Sequence, residues 1–172
     1  MSTKTEQQTD RTALYEVLDD FDTAMLTTFT ADGTPHGRPM HVAERDGDTL
    51  WFVTGVDSGK VREIASGDPA VLTFQSSDTW VAATGEVEIS HDRGKVDELW
   101  SPVMKAWFPE GPEDPGVVAV RVDLVSAEYW ATTGTDKVSF AFGVAKSILT
   151  GTPIDSDDEG EHGEVRLCPA SA

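Results

Sequence analysis

The spacing of apolar residues makes the chain open as a helix and then change period. Leu14, Val17, Leu18 and Phe21 fall at i, i+3, i+4 and i+7, which predicts an amphipathic helix over about 10–21. Residues 24–30 are β-formers, and the Asp32-Gly33 pair behind them is a hairpin signal, so a second strand is expected over about 35–43. Asp46-Gly47-Asp48 marks another tight turn before a third strand over 49–54, rich in aromatic and β-branched residues. Ser58 is placed to cap a short helix over 59–65, and strands are expected over 70–75 and 80–90, with a helical stretch over 92–99.

Pro102, Pro109, Pro112 and Pro115 break regular structure between residues 100 and 116. A long strand over 117–130 comes next, then a last helix over about 137–149, with Gly151 at its C′ position. Residues 152–161 are acidic and poor in apolar side chains and read as a mobile loop, after which Glu164 to Leu167 has the makings of a short edge strand. Six antiparallel strands with few, short helices predict a mainly β fold, a small barrel with peripheral helices, because closure removes exposed edges. The expected division is a barrel domain over 1–151 and an acidic tail over 152–172. A length of 172 residues with 38% apolar content suits one such domain with its own core.

Charge narrows the partners. A formal net charge of −18 repels nucleic acids and anionic membranes before contact, so neither is expected as a partner. The first eleven residues are polar and no apolar run approaches the roughly 18 residues of a membrane span, which points to a soluble, cytoplasmic protein. Cys168 is the single cysteine, so no intrachain disulfide or cysteine cage is available and any redox chemistry must come from a cofactor.

Two places carry candidate anion chemistry. Ser58-Gly59-Lys60-Val61-Arg62 puts a hydroxyl and two cations at the start of a helix, where unpaired N–H groups favour an anion; a capped surface helix with ordinary charges is the alternative. Arg38-Pro39-Met40 lies mid-strand, where an arginine needs an anion or several carbonyls unless it snorkels at an edge. Arg38, Ser58 and Lys60 brought together would hold one phosphate, and so a phosphorylated cofactor. The segment is no Walker loop, since only three residues separate Gly55 from Gly59 and Val61 stands where Ser or Thr is required.

Other chemistries fit poorly. His36 and His41 are five apart and face opposite sides of a regular strand, so no metal site is expected. Asp155, Asp157, Glu159 and Gly160 mimic the start of a calcium loop, but its twelfth position is Arg166 rather than glutamate. No nucleophile elbow appears. Trp80, Trp100, Trp107 and Trp130 either line a flat ring or pack in the core.

The order Arg38-Pro39-Met40, Leu50 to Thr54, then Ser58-Gly59-Lys60 resembles the FMN-binding core of the pyridoxamine 5′-phosphate oxidase-like split barrels. Asp97 to Pro102, Ala106 to Pro112 and Ala127 to Trp130 are similar to the general-stress subgroup of that superfamily, the Trp-Phe-Pro stretch being the most specific part. The resemblance covers about 15–151 and implies a six-stranded split barrel, a homodimer, and FMN in clefts at the subunit interface. It implies phosphate contacts from Arg38, Ser58 and Lys60, the main chain of Val53 and Thr54 along the cofactor, and Pro39 and Met40 beside it. Gln75 and Ser76 match positions that approach the flavin, and Trp107 matches one that covers the ring. True oxidases follow their Glu-Phe-Trp segment with Arg-Leu-His-Asp-Arg, whereas Glu128-Tyr129-Trp130 is followed here by Ala131-Thr132-Thr133-Gly134, which speaks against vitamin B6 oxidation.

The expected function is therefore an FMN-binding general-stress flavoprotein with or without flavin-dependent oxidoreductase activity. The competing expectations are a non-catalytic carrier of flavin, haem or the deazaflavin F420, and an empty barrel acting through its dimer surface.

Overall fold

The computed structural model describes residues 4–131 and 161–167. Alternation along the chain builds one antiparallel sheet from β1 (Thr23–Phe29), β2 (Pro35–His41), β3 (Glu44–Asp46), β4 (Thr49–Gly55), β5 (Ala70–Gln75), β6 (Thr79–Ser90), β7 (Val117–Ala131) and β8 (Glu161–Arg166). Its order is β2-β1-β5-β6-β7-β4-β3, with β8 paired to β7. The described residues thus hold eight strands where six were expected. The extra two are the three-residue β3, which carries no apolar residue, and β8. Among the described residues the outermost strands β2 and β3 do not pair, so the sheet curls into a split rather than a fully hydrogen-bonded barrel.

The inner face is read directly from the period of two: Ala24, Leu26 and Thr28 on β1, Leu50, Phe52 and Thr54 on β4, and Ala70, Leu72 and Phe74 on β5 are buried. Helix α1 (Lys4–Asp19) begins earlier than its spacing predicted and seats Leu14 and Leu18 in this core, with Val17 and Phe21 packed beside them. The Tyr15 hydroxyl donates to Asp48 Oδ1 at 2.5 Å and ties the helix to the β3–β4 turn.

On β7 the alternation fails: Val117, Val118, Ala119 and Val120 are all buried. The outward pair, Val117 and Ala119, is covered by Val96 and Leu99 of α3 (Arg93–Leu99) in a second small core. Asp92 caps that helix, accepting from the Gly94 and Lys95 N–H groups.

β7 is the hub of the sheet. One edge pairs with β6, while the other is shared, residues 117–123 pairing with β4 and 126–131 with β8. The change of partner falls on a bulge: Thr84 faces Ser126 and Gly85 faces Leu124, leaving Val125 as the extra residue. A Cβ on Gly85 would sit 2.7 Å from the Asp123 carbonyl oxygen, so the close approach requires glycine. Gly163 of β8 lies under the buried Tyr129 ring in the same way, and Val165 and Leu167 enter the main core. The expected helix over 137–149, the acidic stretch 152–160 and Cys168 lie outside the described residues. No helix among the described residues is long and apolar enough to cross a membrane.

Candidate functional site

A cleft of about 710 Å³ opens between β2, β4, the helix α2 (Gly59–Ile64) and a 3-10 turn at Pro102–Ala106. β2 is an edge strand, which is why Pro39, with no N–H to give, is tolerated in its middle. Pro39 and Met40 line the cleft from β2, Val53 and Thr54 from β4, and Lys60 from α2. Met104 lines it from the 3-10 turn, with Trp107 and Phe108 from the chain just beyond. Six of the ten residues singled out in the sequence therefore share one concavity. Trp107 is 70% exposed, a large apolar side chain standing over the opening.

The positive element of the wall is Lys60. Its ammonium donates to Thr54 Oγ1 at 2.7 Å, which leaves two N–H donors for a ligand. Burial lowers its pKa below the ordinary value; the nearby charge of Arg38 adds to that and Glu63 opposes it. Two residues earlier, Ser58 precedes α2 in an extended conformation, yet its hydroxyl does not cap the helix as expected. Instead Ser58 Oγ is buried with no hydrogen-bond partner. Because α2 has only six residues, the charge at this end comes from Lys60 rather than from a helix dipole. Arg62, the other cation of the motif, is exposed and donates to the Asp57 carbonyl oxygen at 3.5 Å.

Arg38 stands behind the cleft rather than lining it. Its guanidinium donates to Thr28 Oγ1 at 2.6 Å and to Glu63 Oε2 at 2.7 Å. Thr28 donates to the same carboxylate oxygen, and His36 Nδ1 lies 2.8 Å from Glu63 Oε1. The Thr28 hydroxyl, then His36 and Arg38, hold the Glu63 carboxyl down at about 2 against the opposing effect of burial. The compensation that a mid-strand arginine demands is thus partly internal. Glu63 was not singled out in the sequence, although it follows Lys60 by three residues on the same helix, the spacing that places two side chains on one face.

Gln75 and Ser76 do not line the cleft of their own chain. Gln75 instead joins a cross-strand row with Trp80, Trp130 and His162 on the outer face of β5–β8, and Ser76 Oγ bonds Asp78 at 3.0 Å. Trp130 and His162 stack with ring centroids 5.2 Å apart, while Trp100 packs against Phe108. At the far end of the cleft, sequence reasoning missed Asp22, Thr23 and His41. His41 Nδ1 donates to the Asp22 carbonyl at 2.9 Å, which fixes the hydrogen on Nδ1 and leaves Nε2 free.

An open, curled antiparallel sheet with a cleft beside its edge strand defines a split-barrel protein. The family model described as pyridoxamine 5′-phosphate oxidase like matches residues 9–155, and the chain belongs to that family. It is 34% identical over 141 residues to Protein bli-3 of Neurospora crassa, covering 75% of this chain and 67% of that one. Among solved structures, one assigned as a general stress protein 26 from Jannaschia sp. CCS1 superposes with a TM-score of 0.70 at 29% identity, over 89% of this chain and 95% of the other. A general stress FMN/FAD binding protein from Xanthomonas citri superposes with a TM-score of 0.62 at 28% identity, over 77% and 92%.

Proposed function

We propose that the cleft binds FMN, and that the chain is a general-stress-type flavoprotein acting as a cytoplasmic homodimer. The observation that carries this reading is the Lys60 ammonium in the wall of the cleft, with an unpartnered buried hydroxyl, Ser58 Oγ, two residues before it in the chain. A buried hydroxyl without a partner costs on the order of 1–3 kcal/mol. A phosphate oxygen would relieve it, and would also favour the charged form of Lys60. Arg38, whose charge is felt at Lys60, keeps spare guanidinium donors. The apolar stretch of Met40, Val53, Met104 and Phe108 suits the flat ring, with Trp107 as its cover. The volume falls within the roughly 300–1,000 Å³ usual for cofactor and ligand pockets.

These residues fit a flavin mononucleotide: Lys60, Ser58 and Arg38 would hold the phosphate, and the Val53–Thr54 strand would run along the cofactor. The bound flavin would supply reversible electron transfer. The chain's own part is to orient the ring, keep water from its inner side and neutralise the phosphate. The relative from Xanthomonas citri described as FMN/FAD binding supports the same cofactor class.

The homodimer has its own support. The outer face of the sheet that bears Pro39 also carries Met25, Trp80 and Trp130, each about 40% exposed. A second copy seated there would cover them and bring Gln75 and Ser76 to a neighbouring cleft. The test is the visible spectrum of the purified protein and the mass of what it releases on denaturation. Flavin bands with FMN released are expected, and a colourless protein that takes up no added FMN overturns the reading. Turnover of a nicotinamide donor by the loaded protein separates an oxidoreductase from a carrier.

A further inference from the structure

The carboxylate of Glu63 occupies a place that the flavin reading leaves unexplained. It is an anion, bonded to Arg38 at 2.7 Å, and its field reaches Lys60. An acid beside a phosphate site weakens that site unless it is there to set its strength. Three elements converge on this one side chain: Thr28 from β1, His36 and Arg38 from β2, and α2 itself. The groups facing it are therefore Arg38, His36 and Lys60, with the Thr28 hydroxyl.

We propose that Glu63 is a specificity-determining residue of the phosphate end: by offsetting the charge of Arg38, it limits how strongly the cleft prefers a phosphorylated flavin over an unphosphorylated one. This inference rests on the reading of the cleft as a flavin site. With Arg38 and Glu63 cancelling, the net positive charge offered to the ligand is that of Lys60 alone. Removing the Glu63 charge while keeping its shape releases a second one. Glutamine still accepts from Arg38, so the guanidinium stays in place.

The test compares FMN with riboflavin, which share the ring and differ in the phosphate. Fluorescence titration of the full chain gives the ratio of their dissociation constants. Glu63→Gln is expected to raise the preference for FMN roughly tenfold, the size of one charge-assisted hydrogen bond. A purely structural role predicts the opposite, a loss of FMN affinity as the wall loosens. If the single variant fails to fold, the double variant Arg38→Gln with Glu63→Gln leaves neither charge of the pair unmatched and is compared with Arg38→Gln alone. A higher FMN preference in the double variant supports the proposal.

Glu86→Gln, an exposed acid on β6, shows what a charge removed elsewhere does. An equal rise there, or no rise on removing Glu63 in either background, overturns the proposal. Failure of the native chain to bind either flavin is registered separately and overturns the reading beneath it.

Discussion

The hub around β7 and the wall of the cleft are built by opposite rules. Around the hub local choices agree with the fold: glycine stands where backbones approach, small and branched residues fill both faces over residues 117–120, and one edge of the longest strand is shared between β4 and β8. At the cleft the rules are broken in one place. A tryptophan is 70% exposed and a lysine is desolvated beside another cation, and two residues before that lysine a serine hydroxyl is buried without a partner. Agreement across levels marks what holds a protein together, and a cluster of violations on that frame marks where a ligand is expected.

The contrast can be broken by substitution, and the largest effect belongs to the core. Phe74, buried on β5 against Phe21, is expected to cost about 3–5 kcal/mol of stability as Phe74→Ala in chemical denaturation. The FMN affinity of the molecules still folded should not change. If affinity falls in proportion, core and cleft are not separable.

Next in size, Lys60→Ala is expected to weaken FMN binding by about 1–3 kcal/mol in a fluorescence titration, with a melting temperature unchanged or raised. The second half comes from the sign of the lowered pKa: folding disfavours the charged form of Lys60, so its removal relieves a desolvation cost that offsets the lost hydrogen bond to Thr54 Oγ1.

Glu63 behaves in the opposite sense. Its folded pKa of about 2 lies below the ordinary 4.5, so it stabilises the fold fully above pH 4.5, and that contribution is lost as pH falls towards 2. An acid titration of stability should show this limb, about 1–3 kcal/mol deep, and Glu63→Gln should flatten it. The smallest effect is expected at Trp107→Ala, within about 0.5 kcal/mol on stability because the side chain is mostly exposed. Quenching of tryptophan fluorescence by added FMN should nonetheless drop, which sharpens the distinction between a residue that supports the fold and one that waits for a ligand.

Most of the sheet was legible because its strands alternate cleanly and are punctuated by Asp-Gly and Asp-Gly-Asp turns. β3 was not, since Glu44-Arg45-Asp46 has no apolar residue and is a strand only by pairing with β4. β8 was legible only at its apolar end: Glu161 to Gly163 gain their place from pairing with β7, His162 on the Trp130 ring and Gly163 under that of Tyr129. Of the residues that line the cleft, Lys60 was singled out by a helix-start signal, whereas Pro39, Met40, Val53, Thr54 and Trp107 were reached through the resemblance to the split-barrel family. Arg38 was recognised as a charge needing an anion, but that anion came from its own chain. No spacing rule joins β1, β2 and α2, so the Thr28–Arg38–Glu63 arrangement became visible only once those elements were packed.

The division of the β7 edge has a consequence for how this chain tolerates change. Ala131 and Glu161 sit opposite each other on adjacent strands, so the two ends of the intervening stretch are pinned about 5 Å apart whatever its length. Cutting the chain before residue 161 would strip Val165 and Leu167 from the interior and bare six residues of strand edge, a template for unwanted pairing between molecules. The short strand is thus held by the interior as well as by its neighbour.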